Sequence, residues 1–287
     1  MSAGWVAPSV RARALARRRL GRAGARELAE SPSISAAVEA LSRTSYGRDV
    51  QPGMSLEQAQ RAASATLLWH LRVLAGWLPL FGKQRLRVLA GWFEMAAIED
   101  HLSILAGRPT GLPAYRVGAL STVWTRVAGT GGIAELAAVL ASSPWGDCGS
   151  TIPEIRAEIR HALARRVAEG VPTAAIWAAG ADALLQAREN LGADAPLPVA
   201  VWAAGLPRAA AWALGAVDGP DDLWLAEARW WRRVEGDAAR LLAGSRAGFD
   251  PVLGAVALLA VDAWRVTGAL ELAARGGGPL EVFDVVA

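Results

Sequence analysis

Apolar residues recur at intervals of three and four along most of the chain, and residues suited to capping a helix precede several of these stretches. Ser55 and Gln58 have the spacing of a capping box and stand before a long apolar stretch that ends near Trp77. Thr151 and Glu154 repeat that spacing before a stripe of aliphatic residues at every fourth position. In a capping box the two residues satisfy each other's backbone amides, so both pairs predict the start of a helix.

The same periodicity predicts one helix from Gln84 to Gly107, and a last long helix with Asp250 as its N-cap and Pro251 as its first residue. Alternating runs of β-branched residues, which are typical of strands, are scarce. The apolar segment 197–217 is long enough to span a membrane, but glycine, proline and arginine interrupt its centre. Two short buried helices with a break are predicted there instead, and the whole chain is expected to be all-α.

Two pairs of segments resemble each other within the chain. Residues 41–47 read LSRTSYG and residues 140–146 read LASSPWG, so each has a leucine, a hydroxyl residue and an aromatic residue before a glycine. At a spacing of four, a second pair matches Glu94, Ile98, Leu102 and Ala106 with Asp262, Val266, Leu270 and Ala274. Together these pairs predict duplicated helical modules, in which the helices that carry the two acids occupy equivalent places.

The composition excludes some classes of protein but does not identify a function. The 287 residues are 53% hydrophobic, which excludes a disordered chain, and the net charge of +3 does not by itself indicate a nucleic-acid partner. Arginines crowd the start of the chain, where they suit a solvated helix face or contact with phosphate or lipid headgroups. Cys148 is the only cysteine and no secretory signal is evident, so we expect a cytoplasmic protein without a disulfide.

Residues that usually carry metal or acid–base chemistry do not form a known pattern. His70, His101 and His161 are far apart in sequence, and none belongs to a His-x-x-x-His motif. Acidic residues gather near His101, but the Glu-x-x-His motif of di-iron helices fails because residue 98 is isoleucine. We therefore predict a packed His101, no catalytic residue, no metal and no cofactor. A helical enzyme that uses this acidic helix is the alternative to a non-catalytic protein.

Glycine-rich nucleotide motifs are matched only in form. Residues 129–134 fit the G-x-G-x-x-A pattern, which requires a strand before it and a helix after it. Residues 117–128 predict an amphipathic helix rather than a strand, so the glycines are interpreted as a turn between helices. Gly82 and Lys83 lack the upstream glycine of a phosphate-binding loop.

The cluster RWWRR at residues 229–233 is the most conspicuous candidate for contact with a partner. Tryptophan and arginine are enriched at protein interfaces, so Arg229, Trp231 and Arg232 are a candidate partner surface. Two other interpretations remain: a core tryptophan beside a solvated arginine face, and nucleic-acid binding through stacked bases.

The order of several motifs resembles the C (or d) subunit family of V-type rotary ATPases. Family members have an arginine-rich first helix, a Leu-x-x-Thr-x-Tyr turn and a Tyr-Asp-x-x-Asn-Leu helix, which correspond here to Ala12–Leu15, Leu41–Gly47 and Trp92–Ile98. A Gly-Leu-Pro loop at residues 111–113, a second aromatic-glycine turn at residues 145–146 and an acid-bearing helix from residue 251 to residue 262 follow in the family's order. Ala97 and Arg265 stand where the family has asparagine, and residues 152–219 match least well.

The resemblance implies three similar helical modules around a pseudo-threefold axis, in a funnel-like arrangement. We expect these modules at residues 1–110, 111–205 and 206–287. It also implies a non-catalytic coupling subunit that takes part in ion or proton transport. Its partners would be the central-shaft subunits and the membrane proteolipid ring, with peripheral attachment to the cytoplasmic membrane through the ring. An α-helical adaptor or scaffold without a rotary role is the alternative.

Overall fold

The computed structural model describes residues 3–192, 198–215, 217 and 219–277, and helices account for most of them. The described residues contain no strand, which confirms the all-α prediction. The α-helices, joined by short loops and 3₁₀ turns, are α1 Val6–Ala16, α2 Gly21–Ala29, α3 Ile34–Ser42, α4 Leu56–Trp77, α5 Leu80–Leu89, α6 Gly91–Leu105, α7 Trp124–Val127, α8 Ile133–Ala141, α9 Ile152–Gly170, α10 Ala175–Leu191, α11 Val199–Ala203, α12 Arg208–Ala211, α13 Leu223–Ala243 and α14 Phe249–Ala274.

Both predicted capping boxes are present. Ser55 caps α4 and Thr151 caps α9, each with its partner three residues on returning the hydrogen bond. The break predicted within the apolar segment 197–217 is also confirmed, because α11 and α12 are short and a turn separates them. The prediction that both helices are buried is wrong, since Val201 on α11 is 63% exposed and Arg208 on α12 is exposed.

The single helix predicted from Gln84 to Gly107 is wrong. The helix breaks at Ala90, so α5 and α6 are separate. Gly91 begins α6 at a close approach, where a Cβ atom would lie 2.7 Å from Leu163 Cδ1 on α9. A glycine is needed for that packing and is also a weak helix former, and both effects favour a break at this point.

The predicted start of the last helix is two residues late. Gly248, rather than Asp250, is the N-cap of α14, and Asp250 lies in the first turn. The amide of Gly248 donates to Ser9 Oγ on α1, so a hydrogen bond from a distant part of the chain fixes this helix start. Asp250 retains a favourable position near the positive end of the helix dipole.

The chain forms two compact units. The first unit comprises residues 1–82 and 231–287, and the second comprises residues 83–230. The predicted boundaries of three modules, 1–110, 111–205 and 206–287, and their pseudo-threefold arrangement stay predictions.

Helix α14 forms the centre of the first unit and packs against α1, α2, α3 and α4. It is long and apolar enough to cross a membrane by length and composition, but 78% of its most apolar window is buried. This burial is typical of the core helix of a globular unit. Val266 and Leu270 are fully buried against Leu41 near the end of α3 and Tyr46 in the 3₁₀ turn that follows it.

The second unit repeats this packing around α6. Ile98 and Leu102 are fully buried, and they share an apolar cluster with Leu140 and Trp145. The prediction that Ile98, Leu102, Val266 and Leu270 are buried against neighbouring helices is therefore confirmed.

The local backbone is also duplicated. Thr44 Oγ1 donates to Leu41 O at 2.7 Å and accepts from the Tyr46 amide at 3.2 Å. Ser143 Oγ makes the corresponding bonds to Leu140 O at 2.7 Å and from the Trp145 amide at 3.1 Å. In each unit this turn joins a nine-residue helix to a long helix that begins with a capping box. The sequence pair LSRTSYG and LASSPWG therefore has one structure.

A further apolar cluster in the second unit lies on α10. Ala183 and Ala187 are buried with Ala210 and Leu214, and Ala226 on α13 completes the contact. Helix α10, the short helices α11 and α12 and the long helix α13 follow one another in the same order as α6, the short helices α7 and α8 and the long helix α9.

We expect Leu102→Ala and Leu270→Ala each to lower the free energy of unfolding by about 2–5 kcal/mol, because each removes buried methyl groups from a packed cluster. The two losses should add in the double variant, since the leucines belong to different apolar clusters. Chemical denaturation measures both effects. Leu80→Ala is the control, because Leu80 is 73% exposed and should change stability by less than about 0.5 kcal/mol. Losses of that small size at Leu102 or Leu270 would contradict the assigned packing.

Candidate functional site

Asp262 is a buried carboxylate in the middle of α14, and only 2% of it is exposed. Its oxygens accept hydrogen bonds from the amides of Leu20 at 3.0 Å and Gly21 at 2.7 Å, at the start of α2. Tyr46 Oη donates a third at 2.8 Å. Gly21 has φ of +74°, a conformation that favours glycine. The acid thus caps α2 from another helix and satisfies amides that have no partner within α2.

Glu94 is the corresponding buried carboxylate of the second unit, and 1% of it is exposed. Its Oε1 accepts from the amides of Thr122, Val123 and Trp124 at 2.6, 2.7 and 3.0 Å, at the start of α7. Ser121 Oγ donates to the same oxygen, while Thr122 Oγ1 and Trp145 Nε1 donate to Oε2. The carboxylate therefore receives six donors.

The pKa values of these groups follow from their surroundings. Burial alone raises the pKa of Glu94, but the hydrogen bonds from Thr122, Val123, Ser121 and Trp124 together lower it below its ordinary value. Burial, and then the charge and hydrogen bond of Asp262, raise the pKa of Tyr46 well above its ordinary value. Tyr46 is therefore neutral and donates its hydroxyl proton to Asp262.

The two acids have equivalent places, as the repeat predicted. Each projects from a core helix, caps the start of a shorter helix, and accepts from the aromatic side chain of the duplicated turn. Because protein donors occupy these oxygens, the acids are suited to holding helices together rather than to acting on a substrate.

The three histidines lie in unrelated surroundings. His101 is buried, as predicted, and its Nε2 lies 3.1 Å from both the carbonyl oxygen and the hydroxyl of Thr130. His161 on α9 joins α10 through Asp182 at 2.6 Å and Glu189 at 3.1 Å. Burial lowers the pKa of His161, but the hydrogen bonds and charges of the two carboxylates outweigh it and raise the pKa above its ordinary value.

Candidate metal and thiol chemistry finds little geometric support. Within the described residues, no group of three or more His, Cys, Asp or Glu side chains is placed to hold a metal ion. Cys148 is buried, and burial, followed by the charges of Glu158 and Asp147, raises its pKa to about 11. A thiol with that pKa is protonated at neutral pH and is a poor nucleophile.

The glycines at residues 129–132 lie between α7 and α8, so their interpretation as a turn between helices is confirmed. The amphipathic helix predicted over residues 117–128 is wrong, because only a 3₁₀ turn at Gly118–Leu120 and the four-residue α7 form there. Glu94 is the physical reason. Its carboxylate takes the amides of residues 122–124, which a continuous helix would bond to its own carbonyl groups.

The predicted partner surface on α13 stays a prediction. Arg229 is half-buried and donates to the carbonyl of Ala213 within the second unit. Trp231 belongs to the first unit and stacks on Trp264, with ring centroids 5.2 Å apart. Arg232 is exposed. Intramolecular contacts therefore engage two of the three side chains.

A second candidate surface, which the sequence analysis missed, lies on the first unit. Trp77, Leu80 and Phe81 are 53%, 73% and 56% exposed at the junction of α4 and α5. Val6 and Val10 on α1 are also exposed. Large apolar side chains exposed together often mark a binding surface. The run WLPLF at residues 77–81 was the available signal, because a proline stops the helix and leaves apolar residues in the turn.

A cavity of about 440 Å³ adjoins the end of α6 in the second unit. Asp100, His101 and Trp124 line it together with the loop that carries Pro109 and Leu112. The Nε2 atom of His101 is hydrogen-bonded to Thr130. An enzyme that uses this helix stays the alternative to a non-catalytic protein.

The sequence matches no protein-family model, and the search of curated proteins finds no relative.

We expect Glu94→Gln to lower the free energy of unfolding by about 1.5–3 kcal/mol, because the amide removes a charged acceptor and turns an NH₂ group toward N–H donors. The control is Glu99→Gln on the same helix, which alters the partly exposed pair with Arg160 and should cost less than about 1 kcal/mol. Denaturant titration of both variants gives the comparison. Equal losses would contradict the anchoring role of Glu94.

His161 should make stability depend on pH near neutrality. Its pKa is raised in the folded chain, so its protonated form stabilises the fold below the unfolded pKa, and this contribution is lost as the pH rises through the folded pKa. We therefore expect His161→Gln to destabilise the protein more at about pH 6 than at about pH 9. Thermal unfolding at the two pH values measures the difference. An Asp182→Asn background should reduce it, and a loss that grows with pH would contradict this assignment.

Proposed function

We propose that this chain is a non-catalytic coupling subunit of a V-type rotary ATPase, of the C or d kind, which links the central shaft to the membrane proteolipid ring. The observation that carries the proposal is the duplicated constellation of a buried acid, a capped helix and an aromatic turn. Four of the motifs whose order resembles the family contain residues that meet within the two units. Tyr46 meets Asp262 in the first unit, and Trp145 meets Glu94 in the second.

The contacts give those motifs a common physical role. In the first unit the turn motif and the acid-bearing last helix meet as Tyr46 and Asp262. In the second unit the acid of residues 92–98 meets the second aromatic-glycine turn, as Glu94 and Trp145. A family built from similar helical modules would place its motifs in this way, although a duplicated helical adaptor would repeat them as well.

A coupling subunit must also resist deformation, since it transmits torque without chemistry. The helices α4, α6 and α14 are held at buried side chains by specific hydrogen bonds as well as by apolar packing. Fixed donor and acceptor geometry resists sliding of one helix past another more than apolar contact alone does.

The exposed surface formed by Trp77, Leu80 and Phe81 suits contact with a partner subunit. Burial of these side chains against a partner favours binding by about 25 cal/mol per Å² of apolar area removed from water. The same surface would serve an adaptor without a rotary role, so the identity of the partner decides between the two functions.

Purification from the native host tests the proposal. The chain is tagged at its own locus, membranes are solubilised in mild detergent, and co-purifying proteins are identified and quantified by mass spectrometry. We expect shaft subunits and the proteolipid ring in constant proportion to the chain, with part of the chain in the membrane fraction. Recovery of the soluble chain with other partners would support the adaptor and contradict the rotary role.

Matched variants sharpen this experiment. Trp77→Ser combined with Phe81→Ser should reduce the recovered partner subunits at least several-fold, because both changes remove apolar contact area. Trp224→Ser is the control, since Trp224 is an exposed tryptophan of the second unit, at 41% exposure. Equal recovery with both variants would show that the surface at the junction of α4 and α5 is not the contact.

A further inference from the structure

A small cavity lies beside the buried acid of the first unit. Its volume is about 10 Å³, and Tyr46, Asp262, Thr66 and His70 line it together with the arginines at residues 18 and 19. A volume of this size matches a single water molecule, which needs two to four polar partners. The surface that lines the space is mainly apolar, and the side chains of Tyr46, Asp262, Thr66 and His70 bring the polar groups that are available to one water molecule.

His70 is the unusual member of this lining. It is 5% exposed, and within the described part of the chain no group hydrogen-bonds to its ring. Burial, followed by the charges of Arg18 and Arg48, lowers the pKa of His70 to about 4, although Asp49 and Asp262 act in the opposite direction. The ring is neutral at neutral pH and has one nitrogen that donates and one that accepts.

The second unit shows what an equivalent position can hold. The capping boxes set the register of α4 against α9, and in that register His70 corresponds to Arg166. Leu67 and Leu163 correspond in the same way. Leu67 lines the cavity in the first unit, and Leu163 lies against Gly91 near the acid of the second.

Arg166 fills its position. Its guanidinium lies 4.3 Å from the centre of the Trp145 ring, and its Nη2 donates to Thr122 Oγ1 at 3.4 Å. Burial lowers the pKa of Arg166, while the charge of Glu94 acts to raise it. The long side chain thus occupies the space beside the acid and its aromatic donor.

We propose that the cavity in the first unit is a binding site for one water molecule, which bridges His70 to the Tyr46–Asp262 pair. Histidine is shorter than arginine and leaves a space beside the acid that the guanidinium occupies in the second unit. The water donates to or accepts from the His70 ring and reaches Asp262, Tyr46 Oη or Thr66 Oγ1. The same position of the duplicated module therefore holds the side chain of Arg166 in the second unit and the neutral ring of His70 with a bound water in the first.

High-resolution crystal structures of the full chain test this inference. In the wild-type protein we expect one density peak about 2.7–3.2 Å from a His70 ring nitrogen and from Asp262, Tyr46 Oη or Thr66 Oγ1. Direct contact between the His70 ring and Asp262, a cavity without density, or a metal ion with short coordination distances would each overturn the proposal.

Reciprocal variants test the register. His70→Arg should replace the water with a guanidinium near Tyr46, and Arg166→His should create a water site beside Glu94. Water that persists while the new arginine points into solvent, or an Arg166→His structure without an ordered water, would overturn the equivalence. If His70→Arg does not fold, the wild-type and Arg166→His structures still decide the question.

Discussion

The fold depends on burying the carboxylate of a core helix, Asp262 in the middle of α14 or Glu94 in the first turn of α6, without leaving it unsatisfied. Desolvation of such a group costs several kcal/mol, so the arrangement is stable only where donors surround it. Asp262 and Glu94 meet this condition because the amides at the start of a neighbouring helix have no partners of their own. The acid and the helix start satisfy each other, and neither is stable in another register.

The two units reach this arrangement with different side chains. The shorter aspartate accepts from two amides and the hydroxyl of Tyr46, while the longer glutamate accepts from three amides, two hydroxyl groups and the indole of Trp145. Tyrosine and tryptophan are alike in having an apolar ring with one polar edge. What is duplicated is therefore the position of a donor on a buried ring, and this explains why the sequence similarity is faint.

Local signals predicted the parts of the fold that local interactions determine. The capping boxes of Ser55 and Thr151 fix their helices through neighbours three residues away, and the spacing of four on α6 and α14 marks the buried stripes correctly. The errors occur where a distant group competes for the backbone. Glu94 removes the helix expected over residues 117–128, and no pattern in that segment reveals a carboxylate almost thirty residues away. The contacts of Arg229 and Trp231 could not be predicted for the same reason, because the residues that they touch, Ala213 and Trp264, lie outside the local sequence pattern.

The packing of α10 differs from that of α6 and α14. Ala183 and Ala187 pack against Ala210 and Leu214, and the polar links from α10 to α13 include the partly exposed pair Arg188–Glu227 and the bond from Trp230 Nε1 to Trp177 O. Apolar packing tolerates sliding and repacking, whereas a carboxylate bonded to named amides has one geometry. The acids at α6 and α14 therefore specify position more than they add stability. The coupling role proposed above would require such specification of position in the helices that carry the acids.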